Sequence, residues 1–406
     1  MASQAEAPVF PDHVPESLRW DESLGKFAHH GDDPFKAVSR LHDGPDIIYA
    51  RDASQEIPAW ILTRHELISE AFVDWEHFSS KGGSGISEMV GDGFGLIPID
   101  TDPPEQVAYR RIINPFFTPK VVNALHESVV DTCDMLIEKF ENDGRCEFIE
   151  DFATPFPSYI FLSLMGMPLD QAQQFLDWEK GMLRGETAQD RAAASMGVLM
   201  YLKNFITEQR ANPGTELIEG VINSEFDGKP LTDGQLLGIF FTFYAGGLDT
   251  VYSTLGWTMR HLAMHPDQQD RLRDNPDLID NAVYEFLRAF SVVSTKRKVR
   301  EDFTFHGVEM KAGDTVLLPL FLGGRDPKAW DNPHEVDLDR KPSSLAFGSG
   351  PHLCAGRQLA LREMRIALKA FLGRFKNIRI DESKPYSYHT SPVYGIDELH
   401  LTFDRV

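Results

Sequence analysis

Cysteine is scarce in this chain. Three thiols, Cys133, Cys146 and Cys354, are spread over 406 residues. That is too few to staple a chain of this length, so a disulfide scaffold is excluded and a reducing compartment is expected. Positive charge is also short, with 40 Lys and Arg against 62 Asp and Glu and a net charge of -22. Such a field repels a phosphate backbone, which argues against nucleic acid as a partner and requires any basic docking face to be local. Long apolar runs are missing too: "LLGIFFTFYAGGL" stops at Leu248, well short of the ~20 residues that span a bilayer. The opening "MASQAEAPVFPDHVPESLRW" has neither the basic start nor the apolar centre of a signal peptide. A cytoplasmic protein without a membrane anchor is expected. With no internal repeat, low-complexity tract or Gly/Ser linker, residues 1–406 read as one domain.

Apolar residues are plentiful, at 42% of the chain with 11% aromatic, enough for a large core. "DIIYA" and "PAWILT" flank the turn-forming "RDASQE" and read as paired strands, and "RHELISEAFVDWEHF" has helical spacing. From Lys120 to Phe290 apolar residues recur mostly at three- and four-residue intervals, as in "VVNALHESVVDTCDMLIEKF". Beyond Thr295, "DFTFHGVEM" and "TVLLPLFL", joined across "KAGD", read as strands, as does the tail "ELHLTFDRV". The fold class expected is mainly α with small peripheral β-sheets.

The spacing predicts one helix from Thr232, where Gln235 completes a capping box, to His265, where Pro266 stops it. A helix of that length, ~50 Å, crosses a domain of this size. Its middle carries "FYAGGLDTV", with Gly246 and Gly247 followed by Asp249 and Thr250. Each glycine costs ~1 kcal/mol against Ala, and a buried carboxylate costs more unless paired. The missing side chains leave a groove in which a flat ligand can lie.

In "FGSGPHLCAGRQLALREMRIAL" Cys354 follows a Gly-rich loop and precedes an amphipathic helix. Free N–H groups at a helix start favour thiolate, which is a metal ligand. Gly350 and Gly356 let the loop approach a large planar group, with Phe347 packed under it. A lone cysteine is more often a buried structural residue, but this setting reverses the weighting. No second ligand is spaced for tetrahedral zinc, whereas haem iron takes a single protein thiolate. Glu285 and Arg288 in "EFLR" have the spacing of an ordinary surface ion pair. His261 and His265 share a helix face, but the zinc-protease glutamate is missing and helix-end histidines are the simpler reading. "GDGFG" around Phe94 opens no strand-to-helix turn, so it is a weak phosphate loop.

Together, "GGLDT", "EFLR" and "FGSGPHLCAG" stand in the order and separation found in the cytochrome P450 superfamily, which this chain resembles over its whole length. "DPPEQVAYRR", "HFSS", "GGLDTV", "DFTFHGV" and "GDTVLLP" look like the bacterial camphor-hydroxylase group within it. The resemblance implies haem b between the long helix and the cysteine loop, with Cys354 as axial iron ligand. It implies propionate contacts from Arg110, Arg297 and His352, with Gln106 where relatives have another donor. Glu285 and Arg288 become a buried structural pair, linked to "KAWDNPHEVDLDR" through Arg340. Asp249 and Thr250 handle protons during dioxygen activation. The activity implied is hydroxylation of an unactivated C–H bond, and the alternatives are a haem-thiolate peroxygenase or isomerase, or a non-catalytic haem sensor. The partners implied are dioxygen and a two-iron ferredoxin served by a flavin-dependent reductase, docking at Arg110, Lys341, Arg357 and Arg362. Phe94, Leu96, Ala245, Val293 and Val393, with Thr242 as a polar contact, line the pocket implied. Phe94 stands where the camphor group has a phenolic donor, so a compact terpenoid, norisoprenoid or alkyl-aromatic substrate is expected.

Overall fold

The computed structural model describes residues 10–54, 57–85, 95–390 and 393–406. Phe94 lies outside them. The apolar stretches either side of residues 55–56 pair antiparallel, Ile47–Ser54 against Ile57–Leu62, with Tyr49 opposite Trp60. They belong to a six-stranded sheet in which Thr315–Pro319 runs parallel to Ile57–Leu62 and antiparallel to Ser294–Val299. All residues of Thr315–Pro319 are buried, which is why the sequence there is continuously apolar and not alternating. The strand expected over "TVLLPLFL" ends at Pro319, and Leu320–Gly324 turn into a short helix. Proline has no N–H to extend the ladder. Likewise, the helix expected over "RHELISEAFVDWEHF" ends at Val73. There Asp74 accepts from the backbone N–H of His77 at 3.2 Å and pairs with its ring at 2.8 Å, turning the chain into the strand Phe78–Ser79.

A second sheet orders Phe375–Ile380, Tyr394–Arg405 and Tyr386–Thr390, with Arg145–Glu147 paired to the long strand. Helices fill the space between the sheets. Glu105–Ile113, Ala172–Arg184, Ala188–Ala211, Ile279–Ala289 and Arg357–Arg374 matter most for the site.

The central helix departs from expectation. It begins as predicted: Thr232 Oγ1 accepts from Gln235 N at 3.3 Å and Gln235 Oε1 accepts from Thr232 N at 2.8 Å. It is not one helix, however, but two, Asp233–Gly247 and Asp249–Met264, broken at Leu248 with φ -104° and ψ -52°. Two features favour the break. Two glycines hold helical geometry weakly, and Gly247 lies so close to the Phe161 ring that an added Cβ would sit 2.5 Å from it. The second half is buried at every residue from Val251 to Met259. Two of its hydroxyls, Thr254 and Thr258, bond back to carbonyls four residues earlier, whereas among the described residues the buried Ser253 hydroxyl has no partner.

Candidate active site

The cysteine loop is shaped by backbone constraints. Gly348 and Gly350 both have positive φ, +70° and +64°, and a Cβ on Gly350 would lie 2.9 Å from the Phe72 carbonyl oxygen. Only glycine fits there. The loop closes with Cys354 N donating to Phe347 O at 2.9 Å, after which Arg357–Arg374 forms the helix expected. Cys354 is exposed although it lies deep in the protein, so its sulfur faces an internal space. A Cβ on Gly356 would meet only that sulfur, at 4.0 Å. The protein itself leaves this glycine unfilled.

The thiol is not shifted as the helix start alone predicts. Burial pushes its pKa up and outweighs the N–H groups of Gly356 and Arg357 and the charges of Arg110 and Arg357, which pull it down. A thiolate here needs another positive charge beside it, which a metal provides.

Cations converge on the same space. Arg297 is 5% exposed, and burial lowers its pKa to about 10. Among the described residues its guanidinium hydrogen-bonds Thr295 Oγ1 and the Lys296 carbonyl, at 3.2 and 2.8 Å, and lies over the Phe72 ring. Burial likewise lowers Arg110, on Glu105–Ile113, with Cys354 opposing. Among the described residues neither arginine has a carboxylate within ion-pairing distance. Burial, then Arg297, hold His352 down at about 4, so its ring is neutral and hydrogen-bonds Ser80 Oγ at 3.1 Å. Gln106 is placed differently: its amide donates to Pro351 O at 2.6 Å and braces the cysteine loop. Unpaired buried cations are costly unless an anion joins them. One accessible thiol, two such arginines and a neutral imidazole suit haem b, which brings iron and two carboxylates.

The helix break lies on another wall. Ala245 and Ala355 pack against one apolar cluster that also contains Leu96 and Leu248, joining the broken helix to the cysteine loop. Gly246 is exposed at the last turn of the first half-helix, with nothing within 4 Å of an added Cβ. Asp249 is 1% exposed, and Arg184 donates to its Oδ1 and contacts the Tyr252 hydroxyl. Among the described residues Asp249 Oδ2 has no hydrogen-bonding partner, nor has the buried Thr242 hydroxyl. Thr250 follows in the first turn of the second half-helix. Val293 and Val393 face each other across an isolated bridge between strands.

Glu285 and Arg288 are fully buried and joined by two 2.8 Å hydrogen bonds. Arg288 also donates to the carbonyls of Gly324, Pro333 and Glu335, and Arg340 lies 3.2 Å from Glu285. His261 and His265 stack at 4.0 Å, yet their polar contacts are Gln268 and the His261 carbonyl. Of the basic docking residues, Lys341 is exposed and Arg357 half-buried. Arg362 is occupied with Asn123 and His126.

Sequence reasoning missed the residues around Asp249. Arg184 and Glu179 lie on Ala172–Arg184, and Tyr252 one turn beyond Asp249. Glu179 is 2% exposed with its Oε1 unpartnered. In "AQQFLDWEKGMLR" Glu179 falls on the same helix face as the buried Ala172, Phe175 and Met182, and that misplaced charge was the available signal. Glu363, buried on the cysteine helix with its pKa raised by burial, was missed as well.

Comparisons with known proteins agree with this geometry. The family model described as Cytochrome P450 matches residues 181–394. A probable cytochrome P450 127A1 of Sinorhizobium fredii is 33% identical over 97% of this chain and 96% of its own length. A steroid C26-monooxygenase of Mycolicibacterium smegmatis is 30% identical over 80% of this chain and 82% of its own. The crystal structure of CYP101J2 superposes with a TM-score of 0.87 at 30% identity, covering 98% of this chain and 100% of that one. No described helix is long and apolar enough to cross a membrane.

Proposed function

Because the chain belongs to the cytochrome P450 family, and is therefore a haem-b monooxygenase, we propose that it hydroxylates an unactivated C–H bond of a compact apolar molecule. Terpenoids, norisoprenoids and alkyl-aromatics are the class, and a two-iron ferredoxin with its flavin-dependent reductase supplies the electrons. Residues 1–406 act as one haem domain. Haem b, when bound, supplies the oxidising chemistry.

The chain's own residues divide the remaining work. Cys354 would hold the haem iron through its thiolate, and Arg110 and Arg297 would hold the haem carboxylates, with His352 as a neutral donor. Arg184 holds Oδ1 of Asp249. This leaves Oδ2 as the atom that takes a proton and passes it towards Thr250. Leu96, Ala245, Val293 and Val393 exclude water and orient the substrate, and the unpartnered Thr242 hydroxyl is their polar exception. Exposed Lys341 and half-buried Arg357 supply a local positive face on a chain of net charge -22, suited to an acidic ferredoxin.

The observation that supports the substrate reading is the apolar cluster that holds Leu96 and has Ala245 and, from the cysteine loop, Ala355 packed against it. An apolar pocket separates ligands by only ~1–3 kcal/mol per methylene, so tolerance should be broad. Titrating the ferric protein with monoterpenes, norisoprenoids and alkyl-aromatics should shift the Soret band as water leaves the iron. A shift produced by macrolides or steroids alone would overturn the substrate class.

A further inference from the structure

Among the described residues, the acid cluster behind Asp249 leaves one carboxyl, that of Glu179, in no ion pair. Glu179 and Arg184 approach from Ala172–Arg184, Asp249 and Tyr252 from the second half-helix, and Tyr244 from the first. Asp397 reaches Arg184 at 4.0 Å from the C-terminal strand and is itself paired with His389 at 2.8 Å. Three carboxylates therefore face one guanidinium, one imidazole and, at Asp397, the Lys180 ammonium. Arg184 is committed to Asp249 and Tyr252, and Asp397 to His389. Glu179 is left buried with an unpartnered oxygen, in a cluster where Asp249 Oδ2 also lacks a donor.

The cluster also has an outside. A cleft of about 1680 Å³ is lined by Glu179, Lys180, Arg184, Tyr252 and Asp397. Asp249 is not on that lining. Glu179, with Arg184 and Tyr252, thus belongs both to the wall of that cleft and to the cluster around the acid that the proposed function assigns to proton transfer.

We propose that Glu179 carries the proton of this cluster and relays it from the cleft to Asp249. The protonated carboxyl of Glu179 donates to Oδ2 of the Asp249 carboxylate, and water in the cleft returns a proton to Glu179. Charge balances at each step, and no group outside the protein other than water is needed. Burial and the Asp249 charge raise the Glu179 pKa well above its ordinary 4.5, against the opposing pull of Arg184, as this assignment requires. A carboxyl raised in the fold adds stability below about 4.5 and loses it as pH climbs towards the folded value.

The relay rests on the reading that Asp249 passes protons; the protonation of Glu179 does not, and the experiment separates them. Infrared spectra of the holoprotein near neutral pH should contain protonated-carboxyl bands, one of which disappears in Glu179→Gln while that of Glu363 persists. Asp249→Asn, which removes the neighbouring charge, should make the Glu179 band vanish at a lower pH than in the parent. Glu179→Gln should melt higher relative to the parent as pH rises above 4.5. With haem loading and the reduced-carbonyl band intact, it should divert several-fold more electrons into peroxide and enlarge the solvent isotope effect. A band unchanged by Glu179→Gln overturns the protonation, and one insensitive to Asp249→Asn overturns its coupling to Asp249 and with it the relay. Unchanged coupling and isotope effect overturn the relay. Loss of the carbonyl band in the parent would instead strike at the monooxygenase reading.

Discussion

Cys354 differs from the other two cysteines in what surrounds it. Burial pushes the Cys133 thiol up to about 12 and raises Cys146 further, with no cation of the cysteine-loop kind facing Cys146. Cys354 has two backbone N–H groups and two arginines pulling the other way. Cys354→Ala should therefore abolish the red-shifted Soret band of the reduced carbonyl complex, whereas Cys133→Ala and Cys146→Ala should leave it in place. Thr250→Ala removes a hydroxyl beside Asp249 without touching the cysteine loop. It should leave substrate-induced spectral shifts intact while product formed per electron falls, by about tenfold or more if the hydroxyl acts in proton transfer. Product and peroxide assayed together with NADH consumption check this.

The two glycines of the broken helix can be told apart by what a methyl group would meet. On Gly247 it would strike the Phe161 ring, and on Gly246 it would enter open space. Gly247→Ala should cost about 1–3 kcal/mol of stability through overpacking. Gly246→Ala should be neutral or stabilising by up to ~1 kcal/mol, yet weaken substrate binding because its methyl occupies the site. Melting curves and substrate titrations of both variants separate packing from pocket. Gly324 is a case of the first kind outside the pocket: a Cβ there would lie 2.2 Å from the Arg288 carbonyl oxygen, so the buried Glu285–Arg288 pair and this turn fit only together.

Across the molecule, acid stability should be set partly by histidines kept neutral. Burial, then His265, hold His261 down at about 4, against 6.5 when free. Between these values the unfolded chain binds a proton that the fold does not. The stability is therefore present above pH 6.5 and is lost as pH falls towards 4. The shift corresponds to roughly 3 kcal/mol. His261→Asn should flatten the dependence of unfolding free energy on pH across this window by about one proton, measured by urea unfolding. Since His261 lies away from the cysteine loop, haem content should not change with the slope.

The sequence alone determined the features that depend on neighbours along the chain. The cysteine loop, the capping box at Thr232, the hairpin strands and the Gly-Gly-Leu-Asp-Thr run are each set by backbone conformation within a few residues, so composition and spacing reveal them. Tertiary structure decided what joins distant segments. Arg184 meets Asp249 across 65 residues, and nothing in either stretch names the other. The break at Leu248 was hidden for the same reason, since one of the two features that favour it is Phe161 pressing against Gly247 from 86 residues away. The thiol of Cys354 followed the same rule. Its local donors are written in the loop, but the burial that outweighs them comes from the whole fold, and local sequence carries no measure of it.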